Sequence, residues 1–390
     1  MSMEAQLKRT WAEIDLDALT ENLAAVRAQV GAGVKLLGVV KADAYGHGAL
    51  HIARHLEEAG ADYLAVSNVD EACELRAGGV ELPVLVLGYS PADQMPRILA
   101  NDITQTVQDL PTACVYNDAA RMCGGRMRAH IKLDTGMGRL GFLCDEANFE
   151  KSCDEICKVL SLDRIDAEGI FTHFCSADEE TQEDAAYTSM QYERARRMVD
   201  AIAERGFQFP LHHCCNSGAT ALYPHYAWDM VRCGIVLYGA GGAAKKVGAR
   251  PVMRLKSVIA SVKELRAGES ISYGRAFTTK RPSRIGVLPV GYADGLFRAL
   301  GNGFSVLTPA GPAPICGRIC MDMCMIDLTD LPAVCEGDEV EIYGEGSLVD
   351  DAAKLIGTIP YELLCAVSKR VPRLYLKGGA VVGRDLCILR

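Results

Sequence analysis

LLGVVKADAYGHG, residues 36–48, decides how the first part of the chain folds. It opens on a short apolar run closed by a turn, the pattern of a buried strand. The turn begins at Lys41 and carries Tyr45 and His47. It is not the GxGxxG turn of an open dinucleotide-binding sheet. Similar runs recur: YLAVS ending at Ser67, VLVLG at Gly88, ITQTV at Val107, RAHIKLD at Asp134, EGIFTH at His173, LHHCCN at Asn216, and MVRCGIVLYG from Met230. Helical patterns separate them. Leu16, Leu19, Leu23, Val26 and Val30 form one amphipathic face ahead of the first run, and 183–206 and 51–58 are further helices. Eight apolar strands alternating with helices predict a (β/α)8 barrel.

AGGAAKKVGA, residues 240–249, reads as a linker, and the helical period fades beyond it. SRIGVLPVGY, GFSVLTPAG, APICGRICMDMCMIDL and DEVEIYGEG are strand-like runs split by Gly and Pro. One helix is expected at 350–356. The reading is therefore a barrel over 12–243 and a mostly β domain over 244–390, with 1–11 as candidates to join the latter.

The net charge of −9 argues against a nucleic-acid-binding surface, and no apolar run is long enough to span a bilayer. The first residues, MSMEAQLKRTWAEID, lack the apolar core of a signal peptide, which predicts a cytoplasmic protein. In that compartment the 16 cysteines read as thiols. Cys316, Cys320 and Cys324 would share one face of a strand, but they lack the paired spacing and the histidine of a zinc site, so no metal is expected.

In such a barrel the chemistry sits at the C-terminal ends of the strands. The polar residues there are Lys41, Tyr45 and His47, then Lys132 and Arg139, then His173, Ser217 with Gly218, and Arg232 with Gly234. A lysine closing an apolar strand is either a desolvated nucleophile or a side chain emerging into solvent. Position alone leaves both readings open.

The run VVKADAYGHGA (39–49) resembles the cofactor-lysine signature of alanine racemases. KLDTGMGRLGF (132–142), ISYGRAF (271–277), PVGYADG (289–295) and GRICMD (317–322) resemble further blocks of that family, in its usual order. The likeness runs from TWAEIDLDAL (10–19) to KRVPRLY (369–375). It implies a homodimeric enzyme that uses pyridoxal 5'-phosphate (PLP) to interconvert L- and D-alanine for peptidoglycan. Lys41 would hold the cofactor and serve as one base, and Tyr273 of the partner subunit would be the other. Arg232 would face the pyridine nitrogen, with His173 orienting it. Arg139 would meet the substrate carboxylate and the cofactor's phenolic oxygen. Tyr45, Ser217, Gly234 and Ile235 would hold the phosphate, Met321 would greet the substrate carboxylate and Tyr292 would line the entrance. Lys132 aligns with a lysine that some members carry as a carbamate.

One departure stands out. Where many members have a tyrosine directly before RVPR, helping to bind phosphate and shape the pocket, this chain has Lys369. A lysine there either reaches the phosphate as a point charge or points to water, and either way an altered wall would make a serine-preferring or broader racemase the alternative. A non-catalytic PLP-binding protein on the same barrel is disfavoured, because such proteins lack the β domain that carries Tyr273 and Met321.

Overall fold

The computed structural model of the chain describes residues 9–386 apart from 180, 302 and 347. Strand β1 (Thr10–Asp15) leads straight into the helix Leu16–Val30. Asp15 makes the switch by accepting the Ala18 N–H at 2.9 Å, which caps an otherwise unsatisfied helix start. Leu16, Leu19, Leu23 and Val26 are buried, as their spacing predicted, and Val30 packs half-buried at the end.

The barrel strands are β2 (Lys35–Val39), β3 (Tyr63–Val66), β4 (Val84–Val86), β5 (Ile103–Val107), β6 (Met127–Asp134), β8 (Ile165–Phe171), β9 (Leu211–His213) and β10 (Met230–Cys233). The short β7 (Phe142–Leu143) pairs only with β6. The eight pair in parallel in the order β10-β2-β3-β4-β5-β6-β8-β9. The remaining seam, between β9 and β10, is bridged past the strand ends by the Arg232 N–H to the Cys215 carbonyl at 3.0 Å. The predicted eight-stranded barrel is therefore present and nearly closed. The helices 51–58 and 183–206 expected from the sequence appear as Ala49–Glu58 and Gln182–Glu204.

The rest of the chain is mostly β. One sheet runs β17 (Gly311–Pro314), β16 (Ser305–Thr308), β19 (Glu339–Tyr343), β11 (Met253–Val258), β1, β20 (Arg373–Lys377) and β21 (Ala380–Asp385). A second joins β12 (Ser261–Leu265), β15 (Ser283–Leu288) and β18 (Cys324–Asp327). The hairpin β13 (Ser270–Ile271) and β14 (Phe277–Thr278) stands apart.

Several expectations change. TWAEID is a strand of the C-terminal sheet, antiparallel to β11 and parallel to β20. The segment 240–249 is not an extended linker but contains the helix Gly241–Val247, anchored by the Gly241 N–H on Asp350 at 2.9 Å and ended at Gly248. Its Ala and Lys residues are good helix formers, and only the flanking glycines made it read as a break. The predicted helix 350–356 is Val349–Leu355, but a second, Pro360–Cys365, follows it. Cys316 and Cys320 lie in the loop before β18, so the three cysteines do not share a strand face.

Candidate active site

The turn after β2 is a left-handed helical turn. Ala42, Asp43, Ala44 and Tyr45 have φ of 52°, 54°, 52° and 54°. Each such non-glycine residue costs roughly 1–2 kcal/mol, so the surroundings must hold them there. His47, fully buried, reaches the carbonyls of Ala44 and Tyr45 with Nδ1 at 2.9 and 3.0 Å. Since carbonyls only accept, Nδ1 carries the proton. Asp43 accepts the Ala49 N–H at 2.8 Å. From the far end of the chain, Arg373 donates twice to the Gly46 carbonyl at 3.1 and 3.0 Å, and the Tyr375 hydroxyl donates to the His47 carbonyl at 3.1 Å. A Cβ on Gly46 would strike the Leu364 carbonyl, and one on Gly48 the Tyr375 hydroxyl. KRVPRLY is thus the clamp for KADAYGHG.

The clamped turn sends Lys41 and Tyr45 into one cavity of about 330 Å3. Lys132, Arg139, His173, Ser217, Arg232, Gly234 and Ile235 line it as well. Burial, and then the charge of Arg139, lower the pKa of Lys41. Lys41 is thus half-buried in the cavity rather than emerging into solvent.

Asp134 explains the DTGMGR turn. Its carboxylate accepts the N–H groups of Gly136, Met137, Gly138 and Arg139 at 3.0 to 3.1 Å, folding the loop into a cradle that presents Arg139. Lys132, on the same strand, is buried against Phe171 and bonds the Leu133 carbonyl at 2.5 Å. Burial, aided by Arg232, brings its pKa down to about 7.

Arg232 is buried, and burial lowers its pKa to about 10. One guanidinium nitrogen donates to the Thr172 and Cys214 carbonyls at 2.7 and 2.9 Å and to His173 Nδ1 at 3.2 Å. The other donates to His213 Nδ1 at 3.0 Å. Among the described residues no carboxylate lies within ion-pair distance of it. Burial, then Arg232, holds the His173 pKa well below its usual value, so the ring is neutral. His213 was not singled out from sequence; a histidine inside an apolar strand was its only signal.

At the opposite end, Ser217 Oγ accepts the Gly234 N–H at 3.0 Å. Asn216 caps the helix Ser217–Leu222 through the Ala219 N–H at 3.0 Å, and Ile235 opens the next helical turn. A side chain at Gly234 would run into the Tyr45 hydroxyl. Hydroxyls and backbone N–H groups thus converge, an arrangement suited to an anion.

Lys369 corrects an expectation. It is exposed and is not part of the cavity wall. Tyr361 occupies that wall instead, from the unpredicted helix Pro360–Cys365, and burial pushes its hydroxyl up to about 12. The helix brings its side chain to Tyr45, while Lys369, directly before RVPR, faces outward.

Tyr273, Met321 and Tyr292 are not in this cavity. Tyr273 is 71% exposed on the β13–β14 hairpin, Met321 is 54% exposed, and both line a separate open hollow of about 670 Å3. Tyr292 is also exposed, and its N–H bonds the Cys320 carbonyl at 3.0 Å, tying it to the Met321 loop.

Comparison with known proteins agrees along the whole chain. Residues 14–241 match the family described as alanine racemase, N-terminal domain, and 252–375 match alanine racemase, C-terminal domain. "Alanine racemase 2" of Caldanaerobacter subterraneus is 44% identical over 383 residues, covering 96% of this chain and 97% of that one. "Alanine racemase 1" of Clostridium acetobutylicum is 42% identical, covering 97% and 98%. The solved alanine racemase of Clostridium difficile 630 superposes with a TM-score of 0.91 at 39% identity, over 97% and 98% of the two chains. That of Bacillus anthracis with bound L-Ala-P gives 0.86 at 33% identity, over 97% of each. With both domains matched in order and relatives well above a third identical end to end, this chain belongs to the alanine racemase family.

Proposed function

We propose that the chain racemises alanine with PLP held on Lys41, as a homodimer in which each active site takes residues from both subunits. The observation that carries this is the single cavity shared by Lys41, Arg139, Arg232, Ser217 and Gly234. Its donor set fits the cofactor: a desolvated amine for the aldehyde, a cation for the ring nitrogen, and Tyr45, Ser217, Gly234 and Ile235 for the phosphate. When bound, PLP withdraws electrons from the substrate's α-carbon and makes its proton acidic.

The protein's part is to move that proton from face to face. Lys41, whose lowered pKa favours the free amine, takes or gives it at Nζ on one side. The other side needs a second group, and the partner subunit's Tyr273 supplies it in this reading, since Tyr273 is exposed beside its own chain's open hollow. Arg232 only donates hydrogen bonds and does not readily release a proton, so the ring nitrogen stays largely unprotonated. Held this way, Arg232 would moderate a bound cofactor as an electron sink and disfavour transamination. His173 orients Arg232 and couples it to the second base. Arg139, set by the Asp134 cradle, meets the substrate carboxylate and the cofactor's phenolic oxygen with its planar fork. The Met321 N–H approaches that carboxylate from the partner side, and Tyr292 lines the way in. Lys132, a buried amine near neutrality between two arginines, is placed to take up CO2 as a carbamate, whose negative charge would brace Arg139.

We assign the cofactor-binding barrel to 12–243 and the β-rich domain to 244–390, with β1 tying one to the other. Among the described residues no helix is long and apolar enough to cross a membrane. We place the enzyme in a bacterial cytoplasm, supplying D-alanine for peptidoglycan. The test is racemisation by the purified, PLP-loaded protein across a panel of small L-amino acids. Alanine should show the highest kcat/KM. A higher value for serine would favour the broader racemase, and a yellow protein that exchanges no α-proton would overturn catalysis altogether.

A further inference from the structure

A line of polar side chains leads away from Arg232 through the barrel interior. Arg232 donates to His213 Nδ1 at 3.0 Å, and His213 Nε2 lies 2.8 Å from His130 Nδ1. His130 Nε2 faces Glu168 Oε1 at 3.5 Å, an electrostatic contact longer than a well-formed hydrogen bond. The same carboxylate oxygen accepts the hydroxyls of Tyr63 and Thr104 at 2.5 and 2.8 Å. Arg128 stands 4.0 Å from the other oxygen.

The chemistry of the two ends dictates everything between them. Arginine has only N–H to offer, so His213 Nδ1 must be a bare lone pair and its proton sits on Nε2. That proton points at His130, whose Nδ1 must then accept, leaving the His130 proton on Nε2 toward Glu168. An ionised carboxylate only accepts, and it demands the same arrangement from the other side. Burial pushes the Glu168 pKa up, but the contact with His130 and the hydrogen bonds from Tyr63 and Thr104 outweigh this and bring it to about 2. Burial lowers both histidines and Arg232 adds to it; Glu168 pulls His130 the other way, but burial wins and both rings remain neutral.

The ring planes are fixed too. His213 stacks on Phe171 at 4.7 Å and 3°, and Arg232 lies over the same ring at 5.3 Å. Gly169 leaves room for His130, since a Cβ there would collide with the imidazole.

We propose that Glu168 is a positioning residue for Arg232, acting through the fixed tautomers of His130 and His213 so that an acceptor always meets the guanidinium behind the cavity. Glu168 is the distant counter-charge of an arginine that has no carboxylate beside it among the described residues. With Glu168→Gln the amide can donate to His130, which lets both imidazoles reverse and turns an N–H of His213 onto an N–H of Arg232. The link to catalysis rests on the reading that Arg232 faces the cofactor; the tautomers do not.

The test is nitrogen-15 NMR of histidine-labelled apoprotein, together with kinetics of the PLP-loaded enzyme. In the natural chain and in Glu168→Asp, His130 and His213 should both be neutral with the proton on Nε2. In Glu168→Gln that pattern should be lost, with kcat for alanine down about tenfold, the scale of one net hydrogen bond, and KM little changed. Glu168→Asp should restore most of the rate. Should Glu168→Gln fail to fold, Glu168→Leu, which removes the acceptor beside His130, should release the same pattern, and an unchanged pattern there would equally overturn the proposal. An Nδ1–H or doubly protonated ring in the natural chain overturns the proposal, as do unchanged tautomers or an unchanged kcat in Glu168→Gln. If the natural chain failed to racemise alanine, the functional reading would fall while the spectra would still decide the relay.

Discussion

The ring of Tyr361 lies 5.7 Å from that of Tyr45, tilted by 54°, and the pair walls the cavity that Lys41 enters. A chain end some three hundred residues away in sequence thus sets the size of the pocket. Tyr361→Ala should enlarge it and shift kcat/KM toward serine relative to alanine by about tenfold or more, the discrimination available from a change in pocket volume. Lys369→Ala should leave that ratio unchanged. Competing the two substrates against each variant is the measurement; a ratio governed by Lys369 would reinstate the lysine as the specificity residue.

Sharing of sites between subunits has a sharp test. Lys41→Ala should abolish cofactor absorbance and activity together, and Tyr273→Phe should cripple racemisation with the cofactor still bound. Mixed and refolded in equal amounts, two inactive parents should recover about a quarter of normal activity, because half the dimers then hold one intact site. No recovery, with mixed dimers demonstrably present, would put both residues on the same chain's site.

Lys132 should report its environment through pH. Folded, its amine titrates near 7; unfolded, it returns to its ordinary high value. Between those values the unfolded chain binds more protons, so this residue makes stability rise as pH rises from about 7 toward about 10. Below that window both states are protonated and the contribution is constant. Lys132→Met should flatten the rise in melting temperature across the window. A neutral amine also adds to CO2, so carbon-13 bicarbonate should give one carbamate resonance that disappears in Lys132→Ala. A high-resolution map with a bare ammonium there would count against it.

Asp294 is fully buried between two arginines, Arg370 at 2.7 Å and Arg9 at 3.3 Å, and it accepts the Gly291 N–H at 2.9 Å. It fixes the segment that presents Tyr292. Asp294→Asn should cost about 3 kcal/mol, the usual penalty for stripping one partner from a buried pair, and lower the melting temperature. A loss under about 1 kcal/mol would mean the arginines find water instead.

The barrel was legible because each strand is a short apolar run whose last residue changes character. Lys41, His173 and Arg232 mark such changes, and they do meet in one cavity. β1 was hidden because TWAEID adjoins the first barrel helix in sequence but pairs with strands more than two hundred residues on. Tyr361 was missed for a related reason: its helix is short, and only folding brings it against Tyr45. His130, His213 and Glu168 look like ordinary polar residues within apolar strands. Strand alternation says which ones share a face, but not that a closed barrel joins them across its interior.

The left-handed turn after Lys41 has a consequence for the order of events in the cell. Gly46 and the Arg373 that grips it are 327 residues apart, so the grip is synthesised long after the turn it holds. A nascent barrel can pair its strands before then, with only the local bonds of Asp43 and His47 to hold Ala42–Tyr45 in their costly conformation. The turn that carries Lys41 is therefore fully held only once Arg373 and Tyr375 have joined it. The strain in four backbone angles thus makes the cavity depend on a strand of the C-terminal sheet.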